Sequence, residues 1–207
     1  MCDNRQYREM LNAAVRRMQD VDLLAAAARS GLRCDPATER VTLETFGRVT
    51  HIDAATLLPD PPVEMWLHLA ILQYLESSDG SLPTERWIGM ADLSEGGLAR
   101  GTSFDREIDA LIANRLGRQS PERIRAACER LGARFVDNPR ADLCADFFFL
   151  PRFPLRLNLW YADDEFPASG KLLVNDGVKQ CLGTEAIGTV GTLLIRGLCD
   201  ACGESVP

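Results

Sequence analysis

The chain has 207 residues, 23 basic and 30 acidic, with a formal net charge of −7. That balance argues against nucleic-acid binding, which depends on a cationic footprint. Hydrophobic residues make up 46%, enough for a packed core and too many for a disordered chain.

The length suits a single domain over 1–207, with an N-terminal helical part over 1–36 and a tail over 199–207. Lys171 and Lys179 are the only lysines, which leaves little scope for Schiff-base chemistry or a P-loop. The opening residues MCDNRQYREM lack the apolar stretch of a signal peptide. No segment approaches the roughly 20 apolar residues of a spanning helix. A soluble, cytoplasmic protein without membrane contact is therefore expected. The seven cysteines are odd in number and scattered, unlike a secreted disulfide framework.

In chain order, residues 7–29 read as one helix with Leu11, Val15, Met18 and Ala25 on its inner face, stopped by Gly31. Val41, Leu43 and Thr45 alternate before Phe46-Gly47, and 49–52 return as the second strand of a hairpin. Asp60-Pro61-Pro62 opens a second helix through 76, apolar on nearly every side and hence central. A short strand is expected at Trp87-Ile88.

Ser103 then caps a helix with Phe104, Ile108, Leu111, Ile112 and Leu116 on one stripe, ended by Gly117. Ser120-Pro121-Glu122 opens another, closed by Gly132. Three strands follow: 143–150, with an aromatic triplet that suggests burial on both faces; 155–161, at period two; and 171–174. Their short links favour antiparallel pairing. Thr184 caps the final helix, in which Gly188 and Gly191 permit close backbone approach. The expected class is α+β: an antiparallel sheet, built of the N-terminal hairpin and the C-terminal three-strand meander, packed against about five helices.

The block LPRFPLRLNLWYADDEFPASGKLLV resembles a bacterial and archaeal family, the domain of unknown function (DUF) 3786. The resemblance rests on Pro151, Arg152, Trp160, Asp163, Asp164, Glu165, Phe166 and Pro167, with supporting similarity at Phe46-Gly47, Tyr74-Leu75 and Trp87-Ile88. It covers about Glu39 to Leu194. Val174-Asn175 stands where the family pattern has Phe-Asp. No activity is assigned to the family. The resemblance implies anaerobes and a corrinoid or iron–sulfur association, supplied by a protein partner that carries such a centre.

Four candidate sites follow from the residues. The acidic bend Asp163-Asp164-Glu165 could ligate Mg²⁺ or Ca²⁺, or act as a general acid if half-buried against Trp160 and Phe166, with Arg152 beside it. The favoured reading is a solvated turn in which an aspartate caps backbone amides and Phe166 is the anchor. Cys199 and Cys202 have the spacing of half a thiolate metal site or a redox pair. Cys2, Cys34, Cys144 or Cys181 would have to complete a metal site, within the fold or across a homodimer; a frayed tail is the plain alternative.

His51 lies on the hairpin, facing core or cleft, and His68 lies one helical turn after Glu64, within reach of an i,i+4 bond. Two histidines exclude a histidine-rich metal centre in one chain. The stretch Glu95–Gly101 could cradle a phosphate with help from Arg100, or form a plain loop. Together with Trp160, His51 and Arg100 are the candidate ligand-binding residues. The reading that results is a non-catalytic accessory or ligand-binding protein. The alternative is a metal-assisted or acid/base hydrolytic enzyme using the bend.

Overall fold

In the computed structural model, which describes residues 4–93 and 99–203, antiparallel strands pack against helices in an α+β arrangement. The predicted N-terminal helix is two: α1 (Asn4–Met18) and α2 (Leu23–Arg29). Asp22 causes the break. Its carboxylate accepts the amide of Ala25 at 3.0 Å, an N-cap that restarts the helix. The restart rotates the inner face, so Ala26 and Ala27 are buried while Ala25 is exposed. Gly31 does end α2, at φ +78°.

The hairpin belongs to a four-stranded sheet of its own, ordered β1 (Arg33–Asp35), β2 (Arg40–Thr45), β3 (Arg48–Asp53) and β4 (Pro59–Asp60). Phe46 and Gly47 both turn at positive φ, the geometry of a tight two-residue hairpin. A Cβ on Gly47 would stand 3.0 Å from the Arg130 carbonyl, so this tip seats closely on a neighbouring segment. Pro61 and Pro62 do not open the next helix. A residue before proline prefers extended backbone, and Pro59–Asp60 instead pair with β3. Helix α3 (Met65–Ser77) starts beyond them and buries His68, Leu69, Ile71, Leu72, Tyr74 and Leu75.

Helix α4 (Ala99–Asn114) begins four residues before Ser103, which is therefore interior rather than a cap. It ends before Gly117, which lies in a 3₁₀ turn over Leu116–Arg118. Helix α5 (Pro121–Arg130) is capped by Ser120 as expected.

The meander extends into a five-stranded sheet. Its strands are β5 (Trp87–Ile88), β6 (Arg134–Phe135), β7 (Leu143–Leu150), β8 (Phe153–Trp160) and β9 (Ser169–Asn175), in the spatial order β5-β9-β8-β7-β6. Leu155, Leu157 and Leu159 pair with Phe147, Ala145 and Leu143, and all six are buried on one face. Phe148 points the other way, half-buried, with the Arg134 guanidinium 4.7 Å from its ring centroid.

Helix α6 (Thr184–Ala201) touches α3, α4 and α5. Its N-cap is Gly183; Thr184 is the first helical residue. Gly188 and Gly191 do admit a close neighbour: a Cβ on either would meet the Phe104 ring at 3.3 and 3.1 Å. No described helix is long and apolar enough to cross a membrane.

Tyr74 joins three segments. Its hydroxyl donates to the Ser30 carbonyl at 2.9 Å and accepts the Arg152 amide at 3.2 Å. Its ring lies edge-on to Phe149, with centroids 6.3 Å apart. Burial pushes its phenol well above the usual range. Tyr74→Phe leaves the part-buried Arg152 N–H and the buried Ser30 carbonyl short of a partner, so it should cost about 1–3 kcal/mol. Urea unfolding read at unchanged m-value checks this.

Candidate functional site

The acidic bend joins β8 to β9, and one aspartate holds it together. The Asp163 carboxylate accepts the amides of Glu165 at 2.8 Å and Phe166 at 2.7 Å, while its own N–H donates to the Phe166 carbonyl at 3.0 Å. Those amides, Phe166 first, hold the Asp163 carboxyl below the ordinary range. Asp164 and Glu165 point into solvent, and Phe166 is 66% exposed. Phe166 is thus no anchor, and no apolar wall covers these carboxylates. Arg152 is not beside the bend. It precedes β8, and eight residues at ~3.3 Å each put it about 25 Å from Trp160. Its guanidinium donates to the Gly80 carbonyl instead. The Trp160 indole donates to the Arg140 carbonyl at 2.6 Å, tying down a loop.

The histidines are placed apart. His68 Nε2–H donates to the Leu57 carbonyl at 2.8 Å, and burial lowers its pKa. Glu64 serves it only through the helical backbone bond, not through a carboxylate. His51 faces outward on the four-stranded sheet, with Nδ1 3.1 Å from the Thr42 hydroxyl. Cys199 and Cys202 are not in a frayed tail. Helix α6 runs to Ala201, Cys199 is buried on its inner side and Cys202 is its C-cap. Among the described residues no three His, Cys, Asp or Glu side chains are grouped to hold a metal. An iron–sulfur cluster bound by three or four converging thiolates does not fit them. Cys2, Gly96, Gly97 and the side chain of Arg100 lie outside the described residues.

Two features were missed in the sequence. Arg156 and Asp146 face each other across β7 and β8 in a bidentate pair at 2.6 and 2.8 Å, with the guanidinium 4.2 Å from the Trp87 ring centroid. Recognising that pair requires the strand register. A half-buried acid, the less favoured reading of the bend, is found instead at Asp109 on α4. Desolvation raises its pKa, with Asp105 adding to the effect and Lys171 opposing it. The spacing of Asp105 and Asp109, one turn apart on one helix, was the available signal.

A concave feature lies elsewhere, where α1, α3 and the first turn of α6 meet. Its narrow end is a cavity of about 50 Å³ walled by Tyr7, Met10, Trp66 and Leu69. The Tyr7 and Trp66 rings touch, tilted 52° to each other. Beside it lies an open trough of about 400 Å³ that runs to Arg17 and Glu76. Gln73, Glu185 and Ala186 line both. At the far end Arg17 and Glu76 form a bidentate pair at 2.6 and 2.9 Å, which raises the Arg17 pKa. The first turn of α6 has no side-chain cap, so its leading amides border the trough without one.

The model of a family described as domain of unknown function (DUF3786) matches residues 22–197. No curated protein and no solved structure matches the chain.

Two outcomes check the electrostatics. Asp109→Asn removes the burial penalty on a charge, so it should raise the melting midpoint at neutral pH. The gain should shrink as pH falls through the raised pKa of Asp109, where the native carboxyl is itself neutral. Asp163→Ala should speed amide exchange at Glu165 and Phe166 and leave the core unchanged. In the native chain their protection should fall as pH drops through the depressed pKa of Asp163.

Proposed function

We propose a non-catalytic, ligand-binding accessory function for this chain, which belongs to the DUF3786 family. The observation that carries it is the pair of adjoining concavities between α1, α3 and α6, one with aromatic lining and the other ending at an ion pair. Its open part, about 400 Å³, falls within the usual range of small-molecule sites, roughly 300–1,000 Å³. Such sites combine apolar walls with a few placed polar groups. Trp66, Met10 and Leu69 supply the first, and Gln73, Glu185 and the α6 amides the second.

The acidic bend supports a hydrolytic role less well, because Asp163 is spent on its own turn and Arg152 lies a strand's length away. The reading includes a cytoplasmic setting, supported by the thiols Cys34, Cys128, Cys144 and Cys181. A link to a partner bearing a corrinoid or iron–sulfur centre rests on the family resemblance alone.

A fragment screen followed by amide chemical shifts tests the reading. Binders should move Gln73, Glu76 and the amides of 183–186, and Ala186→Leu, which fills the shared floor, should abolish those shifts. Binders that move only residues elsewhere, or a screen with none, would sink it.

A further inference from the structure

The narrow end of the concavity has a definite chemical character. Its lining includes Met10 and the aromatic residues Tyr7 and Trp66, whose rings lie against each other. Ring faces attract cations, tryptophan most strongly. Gln73 and Glu185 line both the narrow end and the trough.

The charges around it favour a cation over an anion. Arg17 lines only the trough, and its charge is matched by Glu76 through two hydrogen bonds. The first turn of α6 would by itself favour an anion, but Glu185 already supplies one there. Glu76 and Glu185 therefore face a single lining cation. The narrow end, about 50 Å³, exceeds the ~30 Å³ share of one water in the liquid, and the adjoining trough leaves room for the rest of a molecule.

We infer that this end is a site for an alkylammonium head group, held between the Tyr7–Trp66 wall and the Glu185 carboxylate. The inference rests on the ligand-binding reading and specifies its ligand class. A free amine and a methylated lysine side chain of a partner present the same head group.

Choline and its uncharged isostere 3,3-dimethylbutan-1-ol separate charge from shape, and a short peptide carrying trimethyllysine separates the two sources. Titration of the intact chain, followed by tryptophan fluorescence and by the amides of 183–186, should show choline binding about tenfold or more tighter than the isostere. Glu185→Gln should weaken choline by about tenfold and leave the isostere unchanged. Glu185 is exposed, so the variant should fold, with circular dichroism as the control. A peptide that binds tighter than choline assigns the site to a partner's side chain; the reverse order assigns it to a free amine. Equal binding of choline and isostere overturns the inference and leaves ligand binding standing. No binding by either, alongside fragments that do bind the trough, overturns it in the same way. Silence from probes and fragments together removes both.

Discussion

The hydroxyl of Tyr74 is the point at which three chain segments are tied. One oxygen serves the carbonyl that ends α2 and the amide that opens the turn between β7 and β8. Both backbone groups are remote in sequence from α3, which carries the tyrosine, and buried backbone groups without partners are costly. Tyr74 thus ties the five-stranded sheet, α2 and α3 together at one point, beside the bonds from Arg29 to the Ser78 and Leu75 carbonyls. The turn so held contains Pro151 and Arg152, residues on which the family resemblance rests. The Arg152 guanidinium adds a bond to Gly80, and the Cys181 thiol meets the Arg152 carbonyl at 3.6 Å. The motif thus has a structural use well away from the acidic bend.

Once α3 is fixed, the rest of the helical layer follows from packing. Helix α6 approaches Phe104 closely because Gly188 and Gly191 present no side chain. Its first turn then emerges beside α1 and α3 and forms one wall of the concavity. Helix α1 reaches that place because Asp22 interrupts the N-terminal helix and lets α2 take its own direction. The Arg17–Glu76 pair closes the far end. It is half-exposed, so its worth lies in position more than in stability.

Much of the fold was legible in the residues. Period-two alternation located β8, and cap-proline-acid spelling located α5. The apolar girth of 65–77 identified a central helix, and Gly188 and Gly191 identified where α6 is approached. The errors share a cause: they fall where local signals compete. Ser103 has the composition of a cap, yet helix continues on both sides of it. The prolines after Asp60 suit a first helical turn, yet strand pairing with β3 claims the residues before them. Asp22 was passed over because the hydrophobic period runs across it.

The candidate site was much less legible. Asp163, Asp164 and Glu165 stood out because they are adjacent in sequence, and adjacency is what turns require. Tyr7, Trp66, Gln73 and Glu185 come from three helices, and nothing in their local sequence connects them. The residues by themselves determined the element types, the antiparallel pairing and family membership, because these depend on periodicity, short links and contiguous motif. Only the tertiary structure decided which side chains meet. That depends on helix packing and strand register, which bring together groups more than a hundred residues apart.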